Sequence, residues 1–297
     1  PPLNEEQWQN TFERYQRFPE YRKVNRGMTL PEFRRIFYFE YAHRMLGRFI
    51  GLAFAVPFLG FLATGRIARR HVLPLAGLFL LGGLQGGVGW WMVKSGLIDH
   101  PDVSQYRLAT HLGLAVAILA ALTWYALSLL YAARPVERAG PGVQGLARGC
   151  TALLGLVYLQ ILLGALVAGL DGGFVYNSFP DMNGYAVPPE VGQTAPLWLD
   201  MLSNPVTVQF DHRIGAYAVV LSMLAFWAFA RRTALPRDAG RGIALMLGVL
   251  ALQFSLGVLT VLYVVPVPLG VAHQGGALLL FLSVLYTLHR LRAAARV

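Results

Sequence analysis

The chain has 297 residues, of which 56% are apolar and only 13% charged, with a mean hydropathy of +0.50. A soluble domain carries charge on about a quarter of its residues, so this composition excludes a soluble globule and points to a membrane. The net charge of +10 does not imply a nucleic-acid partner: the arginines cluster in short loops between apolar runs, as membrane topology demands, and no basic patch interleaved with aromatics is present.

The chain opens on a polar stretch, Pro1-Pro2-Leu3-Asn4-Glu5-Glu6, which does not read as a signal peptide. Residues 1–36 are expected to form an outer-face segment. From Asn4 to Phe18 the polar sequence is broken by Trp8, Phe12 and Tyr15, which suits an amphipathic helix at the membrane interface. Thr29-Leu30-Pro31-Glu32 reads as a helix start, with Thr29 as cap, Pro31 in the first turn and Glu32 completing a capping box. Seven apolar runs follow, near 37–64, 72–93, 107–131, 149–170, 206–230, 242–263 and 268–289, each long enough to span a bilayer as a helix. The fold class is an all-α polytopic membrane bundle. Interior glycines such as Gly82, Gly83 and Gly86 suit close approach of membrane helices. Cys150, the only cysteine, allows no disulfide within the chain and no cysteine-based metal site, and reads as a small buried residue.

Alternate loops collect arginine: Arg66, Arg69 and Arg70; Arg134, Arg138 and Arg148; Arg231, Arg232, Arg237 and Arg241; and Arg290, Arg292 and Arg296 at the end. The stretch from Asp171 to Pro205 has no Lys or Arg. The positive-inside rule then puts the N-terminus outside and the C-terminus inside.

A weak repeat runs through the chain. His43-Arg44 matches His212-Arg213, Leu84-Gln85 with Gly89 matches Leu252-Gln253 with Gly257, and His111 with Gly113 matches His273 with Gly275, at offsets of 169, 168 and 162 residues. Both copies face the same way, which makes a parallel repeat. Residues 37–133 form an N-terminal half of three spans and 134–297 a C-terminal half of four. Span four has no match in the first half, so an eight-span protein in two four-helix halves is expected, with a further helix before Pro1.

Four histidines, His43, His111, His212 and His273, sit near the outer ends of the odd-numbered spans. His71, His100 and His289 fall in loops or at a span end and have no assigned role. An ionisable residue inside a membrane is expensive and marks function by default. Two imidazoles on facing helices can ligate a heme iron from both sides, and helical bundles house cofactors in this way. A mononuclear zinc or copper site is less well supported, since none of the four has a cysteine or a second histidine one turn away. Glu40 precedes His43 by three residues and shares its helix face, while Gln209 stands at the matching place in the second half. A carboxylate at one site and an amide at the other suggest one reactive and one electron-transfer site. Arg44, Arg107 and Arg213 lie near the histidines, as partners for heme propionates or as interfacial anchors.

Phe39-Glu40-Tyr41-Ala42-His43-Arg44-Met45-Leu46-Gly47-Arg48, Asp102-Val103-Ser104-Gln105-Tyr106-Arg107-Leu108-Ala109-Thr110-His111 and Phe210-Asp211-His212-Arg213 resemble the heme A synthase family. So do Asn25-Arg26-Gly27-Met28-Thr29 and Tyr176-Asn177-Ser178-Phe179-Pro180. The likeness covers essentially the whole chain and is nearest the proteobacterial and mitochondrial branch, which lacks loop cysteine pairs. The family's first helix, with its Gly-Gly and Thr-Arg-Leu-Thr stretch, has no counterpart here. The resemblance implies an enzyme of the bacterial or mitochondrial inner membrane that oxidises a methyl group of heme O to the formyl group of heme A by successive hydroxylations. It implies heme b as cofactor on His212 and His273, heme O as substrate at His43 and His111, and Glu40 as the functional carboxylate. The partners it implies are membrane lipid, an electron acceptor, heme O synthase and cytochrome oxidase assembly factors. A diheme b-type electron-transfer protein shares the paired-histidine logic and is the alternative. A repeat-built transporter would need a polar midplane site, and few charges lie at midspan. Heme O synthase itself is disfavoured, because no paired aspartate-rich motif for magnesium diphosphate occurs.

Overall fold

A computed structural model describes residues 1–96, 103–133 and 139–296. His100, Asp102, Arg134 and Arg138 lie outside the described residues. The helices are α1 Glu5–Tyr15, α2 Pro19–Lys23, α3 Leu30–Ala63, α4 Arg69–Gly96, α5 Gln105–Leu130, α6 Val143–Gly169, α7 Leu197–Ser203, α8 Pro205–Ala230, α9 Arg237–Leu262 and α10 Val267–Ala294. Among the described residues there is no strand beyond an isolated bridge between Met182 and Tyr185. Seven of the helices (α3 to α6 and α8 to α10) are long and apolar enough to cross a membrane, matching the seven expected spans. The chain is an all-α, multi-pass membrane protein.

The helix starts follow their local chemistry. Thr29 N–H donates to Glu32 Oε2 at 2.8 Å, and Pro31 sits in the first turn of α3, so the expected capping box is present. At α8, Asn204 accepts from Val206 N–H at 3.0 Å with Pro205 at the first helical position.

The chain divides into two compact units, Pro1–Leu114 and Ala115–Val297, with the boundary inside α5. In the first unit, α3 runs for 34 residues, about 50 Å, well beyond the ~30 Å hydrocarbon core. Its first turns carry Phe33, onto which α1 packs. Trp8 and Phe12 are only 5% and 6% exposed, Tyr15 stacks on Phe33 with ring centres 4.9 Å apart, and Arg34 pairs with Glu5. The amphipathic helix exists as expected, but its apolar face is covered by α3 instead of being left for lipid. The spacing of Trp8, Phe12 and Tyr15 lines them along one side, and α3 supplies the matching aromatics.

In the second unit, α6 touches both α8 and α10, and α9 touches α10 and, more lightly, α8. The four helices close into a bundle with α8 and α10 on the diagonal. Cys150, Val157, Met223, Met246 and Val284 are buried in it. Between membrane helices such contacts hold by packing more than by hydrophobic transfer. Arg290, expected as an end-of-chain loop charge, is instead buried on α10, where it pairs with Asp238 at 3.5 Å and lies 3.9 Å over the Tyr131 ring.

Candidate functional site

Each of the four histidines lies at a similar distance from the end of its own helix. His43 is 20 residues before Ala63, His111 19 before Leu130, His212 18 before Ala230 and His273 21 before Ala294. The differences amount to less than a helical turn.

In the second unit the diagonal helices α8 and α10 bring His212 and His273 together, with ring centres 6.4 Å apart and ring planes at 84°. Each ring also meets a glutamine from the helix preceding its own in the bundle. Gln160 Nε2 on α6 is 3.0 Å from His212 Nδ1 and donates to the His212 carbonyl at 2.8 Å. Gln253 Nε2 on α9 is 3.1 Å from His273 Nδ1. Among the described residues no group of three or more His, Cys, Asp or Glu is arranged to hold a metal ion, so the paired imidazoles stand by themselves.

The 171–205 connection folds over the start of α8. Arg213 donates to the carbonyls of Tyr176, Ser178 and Asp181 at 2.8, 2.8 and 2.9 Å. Gln209, 3% exposed, donates to the Tyr176 carbonyl at 2.9 Å. Lower in the loop the buried Asp200 accepts from the Gly192 and Thr194 amides, at 2.9 and 2.8 Å, and from Asn204 and Thr207. Burial pushes the Asp200 carboxyl up, but its hydrogen bonds from Thr207, Asn204 and Thr194 outweigh this and hold it well below the ordinary carboxylate range.

In the first unit His111 on α5 meets Gln85 of α4: Gln85 Nε2 is 3.1 Å from His111 Nδ1 and donates to the His111 carbonyl at 3.1 Å. His43 and Glu40 lie on α3, both exposed. Glu40 pairs with Arg44 one turn on. Arg107 donates to the Trp91 carbonyl at 2.8 Å and stacks 4.5 Å over the Trp91 ring. All three candidate arginines are therefore engaged by protein groups, Arg213 most fully. The glutamines beside the rings lie outside the set of site residues expected from sequence. The signal was available in Gln85 with Gly89 and Gln253 with Gly257; the same spacing recurs as Gln160 and Gly164 in span four, which the repeat had left without a match.

Fold and site together define a multi-pass helical membrane protein with a paired-histidine centre on the diagonal of a four-helix bundle. A family model described as cytochrome oxidase assembly protein matches residues 1–285. The chain is 49% identical over 292 residues to the heme A synthase of Nitrosospira multiformis, covering 98% of this chain and 82% of that protein. It is 46% identical over 291 residues to that of Parvibaculum lavamentivorans, with the same coverage. With the Rhizobium meliloti heme A synthase the identity is 47% over 283 residues, covering 94% and 75%. This chain belongs to the heme A synthase family. That membership favours an enzyme over a diheme electron carrier.

Proposed function

We propose that this chain is an oxidoreductase that converts the methyl group of heme O to the formyl group of heme A by successive hydroxylations, for cytochrome oxidase. The names of its relatives support the reaction. The observation that carries the site is the 6.4 Å separation of the His212 and His273 rings. Two metal–nitrogen bonds of about 2 Å, each continued by ~1 Å to a ring centre, put ring centres about 6 Å apart, so this pair fits either side of an iron.

In this reading His212 and His273 hold a resident heme b, which supplies one-electron chemistry when bound. His43 and His111 bind the substrate heme. Glu40, three residues before His43, is the catalytic group: a carboxylate on the same helix face can accept the proton released as the methyl group is oxidised. An electron acceptor outside the chain takes the electrons. The division into 1–36, 37–133 and 134–297 follows the repeat, with the substrate site in the first half and heme b in the second. The arginine-rich loops support an inner-membrane protein with its histidine ends toward the outer face. Heme O synthase would supply the substrate, and assembly factors would receive the product.

The test is to express the intact protein in cells that make heme O but no heme A of their own, and to separate the extracted hemes. Heme A together with heme b is the expected outcome. Heme b alone, with heme O left unconverted, would return the chain to the electron-carrier reading.

A further inference from the structure

One unit recurs three times in the described structure. Gln85 and Gly89 on α4 face His111, Gln160 and Gly164 on α6 face His212, and Gln253 and Gly257 on α9 face His273. In each, the amide nitrogen lies 3.0–3.1 Å from Nδ1; for His111 and His212 it is also 3.4 and 3.5 Å from Nε2. In each, the glycine one turn further on lies against the same ring: a Cβ would meet Cε1 at 2.9 Å from Gly89, 3.2 Å from Gly164 and 2.8 Å from Gly257. The glycine gives the imidazole its place, and the amide fixes its rotation.

The amides are themselves seated. A Cβ at Gly215 would come 2.1 Å from Gln160 Oε1, and one at Gly276 would come 2.2 Å from Gln253 Oε1. Both glycines stand three residues after the clamped histidine. The Oε1 atoms of Gln85, Gln160 and Gln253 are all buried without a hydrogen-bond partner. A buried acceptor left without a partner is costly, so packing, not solvation, places these amides. A generic polar contact has no reason to repeat this arrangement on three helix pairs.

We infer that Gln85, Gln160 and Gln253 are positioning residues, each holding a histidine ring in place and turning its amide oxygen to accept from Nδ1–H when Nε2 is the ligating atom, with Gly89, Gly164 and Gly257 admitting the ring. The inference rests on the proposed heme-ligating role of these histidines. Partners at the far nitrogen of a metal-bound imidazole set ring orientation and ligand basicity, and their loss typically costs about 10–100-fold in metal affinity.

The test uses the purified, heme-loaded protein and reads the low-spin ferric resonance spectrum and heme b content, neither of which requires turnover. Gly276→Ala and Gly215→Ala displace the far end of a flexible glutamine and leave the ring untouched. Gln253→Met and Gln160→Met remove the amide at similar volume. All four should shift the ferric signature and weaken heme b retention about 10–100-fold. Gln253→Glu, which keeps a partner at the same reach, should restore retention relative to Gln253→Met. Gly155→Ala on α6 and Gly248→Ala on α9, where a Cβ meets nothing within 4 Å, should leave both readouts unchanged. Gln85→Met should leave the heme b signature unchanged and raise KM for heme O more than it lowers kcat. Wild-type spectra from the Met and Gly276→Ala variants would overturn the inference while leaving the function reading intact. A wild-type heme b signature in His212→Ala would instead overturn the ligand assignment beneath it.

Discussion

The two histidine pairs share a repeat register but not a local environment. Around His212 and His273 several neighbours are tied down. Both rings meet an amide, Gln209 is buried and bonded to the Tyr176 carbonyl, and Arg213 is committed to three carbonyls of the overlying loop. Around His43 and His111 only His111 has an amide. His43 is exposed and makes no hydrogen bond among the described residues, and Glu40 and Arg44, at the places of Gln209 and Arg213, are exposed and paired with each other. An amide locked to a carbonyl cannot move a proton, whereas an exposed carboxylate can. That contrast supports the proposed division, with a resident group at the second site and an exchanging one at the first.

The largest expected effect follows from that contrast. Glu40→Gln gives the first site the side chain of the second at nearly constant volume. Removing a positioned acid–base group typically costs about 10²–10⁴ in rate, so heme A formation should collapse while heme b content stays near normal and heme O or a hydroxylated product accumulates. Because Glu40 is exposed, its loss should leave the fold unaffected. Chromatography of extracted hemes reads the outcome, and an unchanged heme A yield would reduce Glu40 to an interfacial charge.

Histidine substitutions sharpen the comparison at the next magnitude. His212→Ala or His273→Ala should lower heme b occupancy about 10–100-fold. His43→Ala or His111→Ala should spare heme b and lower product. Equal loss of heme b from all four would mean that the two sites do not divide labour.

Much of this contrast was legible in the sequence, and the exceptions are instructive. The seven spans follow from run length and loop charge, because in a membrane the backbone must satisfy itself within each helix. The four histidines and Glu40 follow from spacing on helix faces. Gln160 and Gly164 were hidden because a single Gln and Gly four residues apart are unremarkable until a neighbouring helix puts an imidazole on them. Arg213 was ambiguous for a related reason: a guanidinium near an outer loop reads equally as anion partner or anchor until the carbonyls of Tyr176, Ser178 and Asp181 are seen to converge on it. The apolar side of α1 suggested lipid because sequence shows that a face exists, not what covers it.

Arg213 and Arg44 provide a smaller, paired test. Arg213→Ala removes charged hydrogen bonds to three carbonyls and should loosen the 171–205 loop by about 3 kcal/mol. Arg44→Ala removes one exposed ion pair, worth at most about 1 kcal/mol. Limited proteolysis should cut the Arg213→Ala loop much faster than wild type and the Arg44→Ala protein at the wild-type rate. Equal rates would mean that the loop is held elsewhere.

The smallest effect is one of pH, and it belongs to the second unit. Asp200 is buried beneath the loop and anchors it through the amides of Gly192 and Thr194 and the side chains of Asn204 and Thr207. Burial raises its pKa, but those hydrogen bonds lower it further, so the folded value lies below the unfolded one. A carboxylate shifted in this direction stabilises the fold fully above its ordinary, unfolded pKa near 4. That stability declines as pH falls below this value toward the folded pKa. Between pH 7 and 5, hydrogen exchange at the Gly192 and Thr194 amides should therefore hold constant once corrected for intrinsic rates. Below pH 4 protection should fall. Asp200→Asn should show reduced protection already at pH 7 and little further change on acidification. An Asp200→Asn protein with wild-type protection at pH 7 would show that the loop is held by its other contacts, Arg213 and Gln209 among them, and the carboxylate would lose its anchoring role.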